Sequence, residues 1–490
     1  MSQRISWGAA ALLGFLGVSA ITCGSFAAGE LPVVGNPFAD WTLGTLSDNT
    51  ATTMVATGLF SVIIAWVAMG WMWQVGFSRQ LKVFALWLVP TLPAAPVYSQ
   101  DIYSYLAFGK VVANGDDPYA GSLLDLLPPY SSYLQSIPEI WMDQPSPYGP
   151  VHMVTSGLIS LLFGSNMLGL IYAYRIVVVL GAIVGIWALK EICSRLGISP
   201  CPWMWLLFLN PIFFAHGLFG LHNDVWVAVL MLLAFVFLFR ALEGAGTNAG
   251  LTYCALFVLT AVVASFIKII ALPVLGIGAI AYYRSLGKKP PWIQFCVPAL
   301  LCGLVLLIAL GLSILCGFSP GWLENSNSAT KAIDWKSVPT FISILAYYAT
   351  LLWSPRDYSR QETLAAVLRH GALIIFVLVT VYLVYQMIKK NRSWMGTLCA
   401  VYAALALTLP IIHLWYFFWL FAPVVLWLRN DKWLRILAIT AAIICATVSP
   451  HEYHLNNAFA DPRTWIGMLL ALAIGLIIFG ANKALTHVRQ

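Results

Sequence analysis

The chain has 490 residues, of which 60% are hydrophobic, 14% aromatic and only 9% charged, with a net charge of +7. Its mean hydropathy is +0.84, and apolar runs of membrane-crossing length recur along it; this excludes a soluble globular protein and predicts an all-α polytopic membrane protein. Its 9 cysteines form no CxxC pair, so neither a disulfide framework nor a zinc site is expected, and membrane topology rather than nucleic acid accounts for the basic residues.

The opening segment, "MSQRISWGAAALLGFLGVSAITCGSFAAG", has the look of a signal peptide, but many spans follow and it reads as an uncleaved first helix. About fourteen spans are expected, near 6–28, 52–74, 83–98, 168–189, 202–219, 225–242, 249–267, 269–283, 292–316, 371–388, 394–411, 414–428, 433–449 and 464–481. Two further apolar stretches, 150–163 and 337–353, are assigned to outer-face or re-entrant helices, because counting either one alone as a crossing inverts every basic loop that follows. With that parity 17 of the 26 Lys and Arg residues, from Arg4 to Arg489, fall in inner connections. Of the 19 acids 16 fall outside, only Glu191, Glu243 and Asp431 being inner. The expectation is a multi-pass plasma-membrane protein with both termini cytoplasmic. Its long loops, near 29–50, 99–167, 317–370 and 450–463, lie outside, so it is expected to work on its outer face. No repeat or soluble domain interrupts the chain, which reads as one domain over 1–490 with a first large outer loop at 99–167 and a second at 317–370.

Chemistry-bearing residues collect in those outer segments. Asp101 follows the third span directly, where partial desolvation makes a carboxylate a better base; the plain alternative is a loop acid or helix N-cap for "IYSYLAFGKVVA". In "NGDDPY", Asn-Gly ends that helix and Asp117 precedes a proline, so Asp116 and Asp117 read as a turn or as a thin ligand pair for a divalent cation such as Mg or Mn. "MDQPSPYGPVH", which contains Tyr148, is stiffened by three prolines and suits either a fixed loop over a pocket or a rigid connector. His222, Asn223 and Asp224 in "GLFGLHNDVW" stand at an outer span mouth, as helix caps or as an acceptor site. Lys268, in "SFIKIIALP", falls at an outer break between two short spans, where a lysine either snorkels or binds a lipid phosphate. Arg356, Arg360, Arg369 and Arg463 are its rivals for that phosphate. "HLWYFFWLFAP" carries His413, Trp415, Tyr416 and Trp419, an interfacial aromatic belt or a platform for a sugar ring, with Trp415 and Trp419 four residues apart on one helix face.

The ordered set "QDIYSYLAFGKVVANGDDPYAG", "PSPYGPVHMV", "LNPIFFAHGLFGLHNDVWVAVLML" and "HLWYFFWLFAP" resembles the actinobacterial polyprenol-phosphate-mannose-dependent alpha-1,6-mannopyranosyltransferases, the MptA/MptB-like integral membrane enzymes of the GT-C class. The resemblance extends from the first acidic loop almost to the C-terminus. It implies a GT-C-type fold and transfer of mannose from polyprenyl (decaprenyl) phosphate mannose in the outer leaflet to a growing alpha-1,6-mannan, the backbone of lipomannan and lipoarabinomannan, on a phosphatidylinositol-mannoside-type glycolipid acceptor. It also implies that the loop acid Asp101 is the catalytic base, with Asp116 or Asp117 matching the second acid that some such enzymes carry. The residues and the resemblance together predict a single displacement with inversion and no required cofactor. No Gly-rich phosphate loop or dinucleotide fingerprint points to a soluble nucleotide donor. Two other readings are an arabinofuranosyltransferase of the same class, using a decaprenyl-phosphate sugar, and a transporter or flippase for a polyprenyl-linked glycan. The second predicts mid-membrane charges and matching halves, of which only the charge of Arg175 is found.

Overall fold

The computed structural model describes residues 2–28, 48–70, 76–131, 133–134, 137, 139–325, 336–428 and 431–448. Among these every regular element is a helix. The first four helices are α1 (Ser2–Ala28), α2 (Asp48–Gly70), α3 (Phe77–Thr91) and α4 (Asp101–Ala113). They are followed by α5 (Pro150–Phe163), α6 (Met167–Arg195), α7 (Cys201–Leu207) and α8 (Asp224–Glu243), with a π-helix at Phe213–Phe219 between the last two. Next come α9 (Asn248–Ser265), α10 (Leu272–Ser285), α11 (Pro291–Leu315) and α12 (Val338–Thr350). The last are α13 (Tyr358–Lys389), α14 (Trp394–Thr408), α15 (Phe417–Phe421) and α16 (Asp431–Val448).

Seven described helices, α1, α2, α6, α8, α9, α11 and α13, are long and apolar enough to cross a bilayer. The protein is a multi-pass membrane protein. Several expected spans are shorter or broken. The stretch 202–219 divides at Asn210-Pro211 into α7 and the π-helix, and 414–428 divides into a 3-10 turn at Leu414–Tyr416, α15 and a last turn. The expected span at 83–98 begins earlier and ends at Thr91, ahead of Pro93. In the other direction, the expected 371–388 is the second half of the 32-residue α13, which starts where the Asp357 side chain accepts from the amide of Ser359. The expected last span, 464–481, lies outside the described residues.

With lipid on every side, apolar burial cannot drive helix pairing, and close backbone approach takes its place. Gly17 of α1 faces Gly58 of α2 so closely that a Cβ on either one would sit 2.7 or 2.5 Å from the other's carbonyl oxygen. Trp66 of α2 and Trp205 of α7 stack at 4.6 Å and each donates its indole N–H to the other's carbonyl at 2.8 Å, so both polar atoms are satisfied inside the bundle.

Arg175, the internal charge of α6, is buried and works on the backbone. It donates to the carbonyls of Leu92 at 3.0 Å, Ala94 at 2.5 Å and Leu218 at 3.4 Å. One guanidinium thus ties the segment leading into α4 to the π-helix leading into α8. Asp101 begins the first of these helices and Asp224 the second.

Candidate active site

A cavity of about 420 Å³ opens where the starts of α4 and α5, the break between α9 and α10, and the turn before α15 converge. Asp101, Tyr148, Lys268, His413, Trp415 and Tyr416 all line it. Asp101 is the first residue of α4, and its amide donates to Ser99 Oγ at 3.2 Å. Its side chain keeps 20% exposure towards the cavity.

The backbone is strained beside both site segments. Tyr98, three residues before Asp101, has φ 72, and Leu221, directly before His222, has φ 54. Non-glycine residues in this left-handed region persist only where surrounding packing enforces them. Tyr98 and Leu221 are fully buried, and the Tyr98 hydroxyl donates to the Val55 carbonyl at 3.2 Å.

Behind Asp101 lies His222, its Nδ1 3.5 Å from Asp101 Oδ2. Burial, with lesser contributions from His216, Lys268 and His413, pushes the His222 pKa well below the usual imidazole value. The ring is therefore neutral, and the contact is not an ion pair. Burial likewise keeps the Tyr105 and Tyr148 hydroxyls protonated, and the carboxylates of Asp101 and Asp224 add to the effect. These two tyrosines and His152 pack edge to face at 4.5 to 5.2 Å, an apolar backing to the carboxylate.

Lys268 is held from behind. Its Nζ lies 2.6 Å from Asp224 Oδ2, and the other oxygen of that carboxylate accepts from Trp419 Nε1 at 2.8 Å. Asp224 is fully buried, at the start of α8, where the helix dipole favours an anion. The ammonium also sits 5.2 Å from the Tyr416 ring centre. The proline-rich segment is fixed against the same break: the amide of Gly149 donates to the Ile267 carbonyl and that of Val151 to the Phe266 carbonyl, both at 3.1 Å. A Cβ at Gly149 would lie 2.1 Å from Phe266 O, so only glycine permits this approach. Gln144, Pro145 and Pro147 thereby join the cavity wall.

Residues 11–284 match the family profile described as alpha-(1->6)-mannopyranosyltransferase, N-terminal domain, and residues 339–480 match the MptB C-terminal domain. The chain belongs to the alpha-(1->6)-mannopyranosyltransferase family. Among its relatives, alpha-(1->6)-mannopyranosyltransferase B of Corynebacterium glutamicum is 29% identical over 87% of this chain and 73% of its own length. A probable alpha-(1->6)-mannopyranosyltransferase of Mycolicibacterium smegmatis is 28% identical over 98% of this chain and 88% of its own. Alpha-(1->6)-mannopyranosyltransferase A of Mycobacterium tuberculosis is 24% identical over 96% and 90%. No solved structure matches the chain. The protein is an alpha-(1->6)-mannosyltransferase, a membrane glycosyltransferase that takes mannose from a donor and adds it to a glycan acceptor.

The remaining sequence candidates of this mannosyltransferase sort by position. His222, Asn223, Asp224 and Trp419 are buried and form the layer behind the cavity rather than its lining. Trp415 and Trp419 do not share a face: the 3-10 turn before α15 puts Trp415 on the cavity and Trp419 against Asp224. His413 and His222 each stack on Trp415, at 4.4 and 3.8 Å, so much of its π surface is engaged within the fold. Asp117 Oδ1 accepts from the amide of Tyr119 and Oδ2 from that of Ser319, and Asp116 is exposed; neither lines the cavity. Arg356 is exposed, Arg360 contacts Asp357 and Thr350, and Arg369 donates to Thr340, all three outside the cavity lining. Arg463 lies outside the described residues. Sequence reasoning passed over Lys336 and Trp322, which line the cavity from the second long loop. Trp322 opens a one-turn helix and Lys336 lies in the turn before α12, and no periodicity in the sequence marks either.

Proposed function

We propose that the donor is a polyprenyl-phosphate-linked mannose in the outer leaflet and that Asp101 is the general base for inverting transfer to the 6-hydroxyl of a growing alpha-1,6-mannan. One juxtaposition carries this reading: the partly exposed carboxylate of Asp101 and the ammonium of Lys268 line one cavity. The acceptor hydroxyl gives its proton to Asp101 as its oxygen bonds to the anomeric carbon. The bond from that carbon to the phosphate oxygen breaks, and the electron pair leaves with the lipid phosphate. Lys268 and Lys336 supply positive charge for the departing phosphate in this scheme, so no metal is invoked. A beta-linked donor yields an alpha-linked product.

The positive-inside distribution supports cytoplasmic termini and an outer cavity in the plasma membrane, and the family likeness supports a GT-C-type architecture. A phosphatidylinositol-mannoside-type glycolipid fits as the natural acceptor, since an extending mannan must be anchored at the membrane.

The test is a cell-free membrane assay with labelled polyprenyl-phosphate-mannose and a short alpha-1,6-mannoside, beside parallel arms with a sugar-nucleotide mannose and with polyprenyl-phosphate-arabinofuranose. Alpha-linked product from the first donor alone is expected. Preferential use of either other donor would overturn the reading.

A further inference from the structure

A second cavity, of about 680 Å³, lies at the other end of the helices that carry the site. α10 starts two residues after Ile270, which lines the first cavity, and its last turn lines the second. Fourteen residues of helix separate the two ends by about 20 Å. α14 runs the opposite way, its start lining the second cavity and its end lying five residues before His413.

Arg284, Lys288, Lys289, Lys389 and Arg392 line this second cavity, and among the described residues no acid does. Its floor is built rather than merely solvated. Arg284 donates to Asn391 Oδ1 at 2.6 Å and to the Met387 carbonyl, locking the α10–α11 turn to the α13–α14 turn. Asn391 itself is held at φ 52. Lys289 lies 4.6 Å from the Tyr283 ring centre. α11 and α14 both begin at this cavity and neither start carries a side-chain cap, so the positive ends of two helix dipoles add to the five cations. Above it, the described residues leave α11 almost wholly uncovered, with Leu300 73% and Leu307 67% exposed, and α13 exposes Leu378 and Val381.

We infer that this cavity binds the phosphate headgroup of an anionic phospholipid whose acyl chains lie along α11 and α13. A multiply basic pocket directly below uncovered apolar helix faces suits a ligand that is anionic at one end and hydrocarbon at the other. A soluble phosphate would use the cations and ignore the helices.

Native mass spectrometry of the full chain in neutral detergent tests this, with titrations of phosphatidylglycerol, phosphatidylcholine and inorganic phosphate. The wild type is expected to retain phosphatidylglycerol about tenfold over phosphatidylcholine, and Lys288→Gln/Lys289→Gln/Lys389→Gln to lose that preference. The corresponding triple Lys→Arg variant keeps the preference, which separates lost charge from lost fold. Equal retention of the two lipids by the wild type, or an unchanged preference in the glutamine variant, overturns the site. Displacement of the lipid by millimolar inorganic phosphate overturns the lipid as its ligand.

Discussion

Lys268→Met separates the structural role of this lysine from its proposed role at the donor phosphate. Asp224 is 0% exposed and Lys268 20%, with 2.6 Å between their charged atoms, so deleting the ammonium strands a carboxylate whose remaining side-chain donor among the described residues is Trp419. Breaking a buried pair from one side costs about 3–5 kcal/mol. Because the cavity gives water some access to the lysine end, the lower limit, about 3 kcal/mol, is expected. Asp224→Asn keeps the acceptor for Trp419 and leaves a lysine that reaches water; a smaller loss of about 1–2 kcal/mol follows. The double variant Lys268→Met/Asp224→Asn contains no stranded charge and is expected to recover about 2 kcal/mol relative to Lys268→Met, the signature of direct coupling. Thermal unfolding of the purified variants in one detergent measures this, alongside the apparent affinity for the lipid donor. The recovered double variant should fold well yet still bind donor weakly. A double variant no more stable than Lys268→Met would refute the pairing argument, and wild-type donor affinity in that variant would remove Lys268 from the phosphate.

Gly149→Ala places a methyl 2.1 Å from the Phe266 carbonyl; it is expected to part the proline-rich loop from the α9–α10 break and lower activity at least tenfold, read in membranes containing equal amounts of enzyme. Arg175→Leu removes three bonds to backbone carbonyls and is expected to cost on the order of 2 kcal/mol in thermal unfolding, with turnover falling further because Asp101 and the α8 start lose their shared anchor. Burial lowers the His152 pKa from 6.5 to about 3, so between these values the unfolded chain binds a proton that the folded chain does not. Its contribution to stability is complete above pH 6.5 and falls as the pH drops, by roughly 2 kcal/mol at pH 5. His152→Phe should flatten that acid slope in melting temperature. EDTA is expected to leave transfer intact, and a loss restored by Mg or Mn would assign the phosphate charge to a metal.

The long helices were legible because a bilayer imposes one simple rule, some twenty apolar residues, which 224–243 and 291–315 satisfy plainly. The 14-residue helix Pro150–Phe163 was legible as an apolar run too short for a span. Broken helices were not: 202–219 is as apolar as a span, yet Asn210-Pro211 divides it, and its second half winds as a π-helix. The polar first turns of α13 read as loop because their helicity depends on the Asp357 cap rather than on hydropathy.

Within the site, Asp101 and Lys268 stood out as charges at span ends. Their surroundings did not, because pairing of Lys268 with Asp224 spans 44 residues and that of Trp419 with Asp224 spans 195. A four-residue spacing suggested one face for Trp415 and Trp419 and failed where a 3-10 turn changed the pitch. The left-handed Tyr98 and Leu221 carry no sequence signal, since glycine or asparagine would be the expected residue there.

The most direct measurement is turnover of Asp101→Asn against wild type in matched membranes, with labelled polyprenyl-phosphate-mannose and a short alpha-1,6-mannoside. Asparagine preserves the shape and cannot accept the proton, so the account predicts normal membrane insertion, retained donor binding and a rate about 100-fold to 10,000-fold lower. Turnover within a few-fold of wild type would contradict it and remove Asp101 as the base.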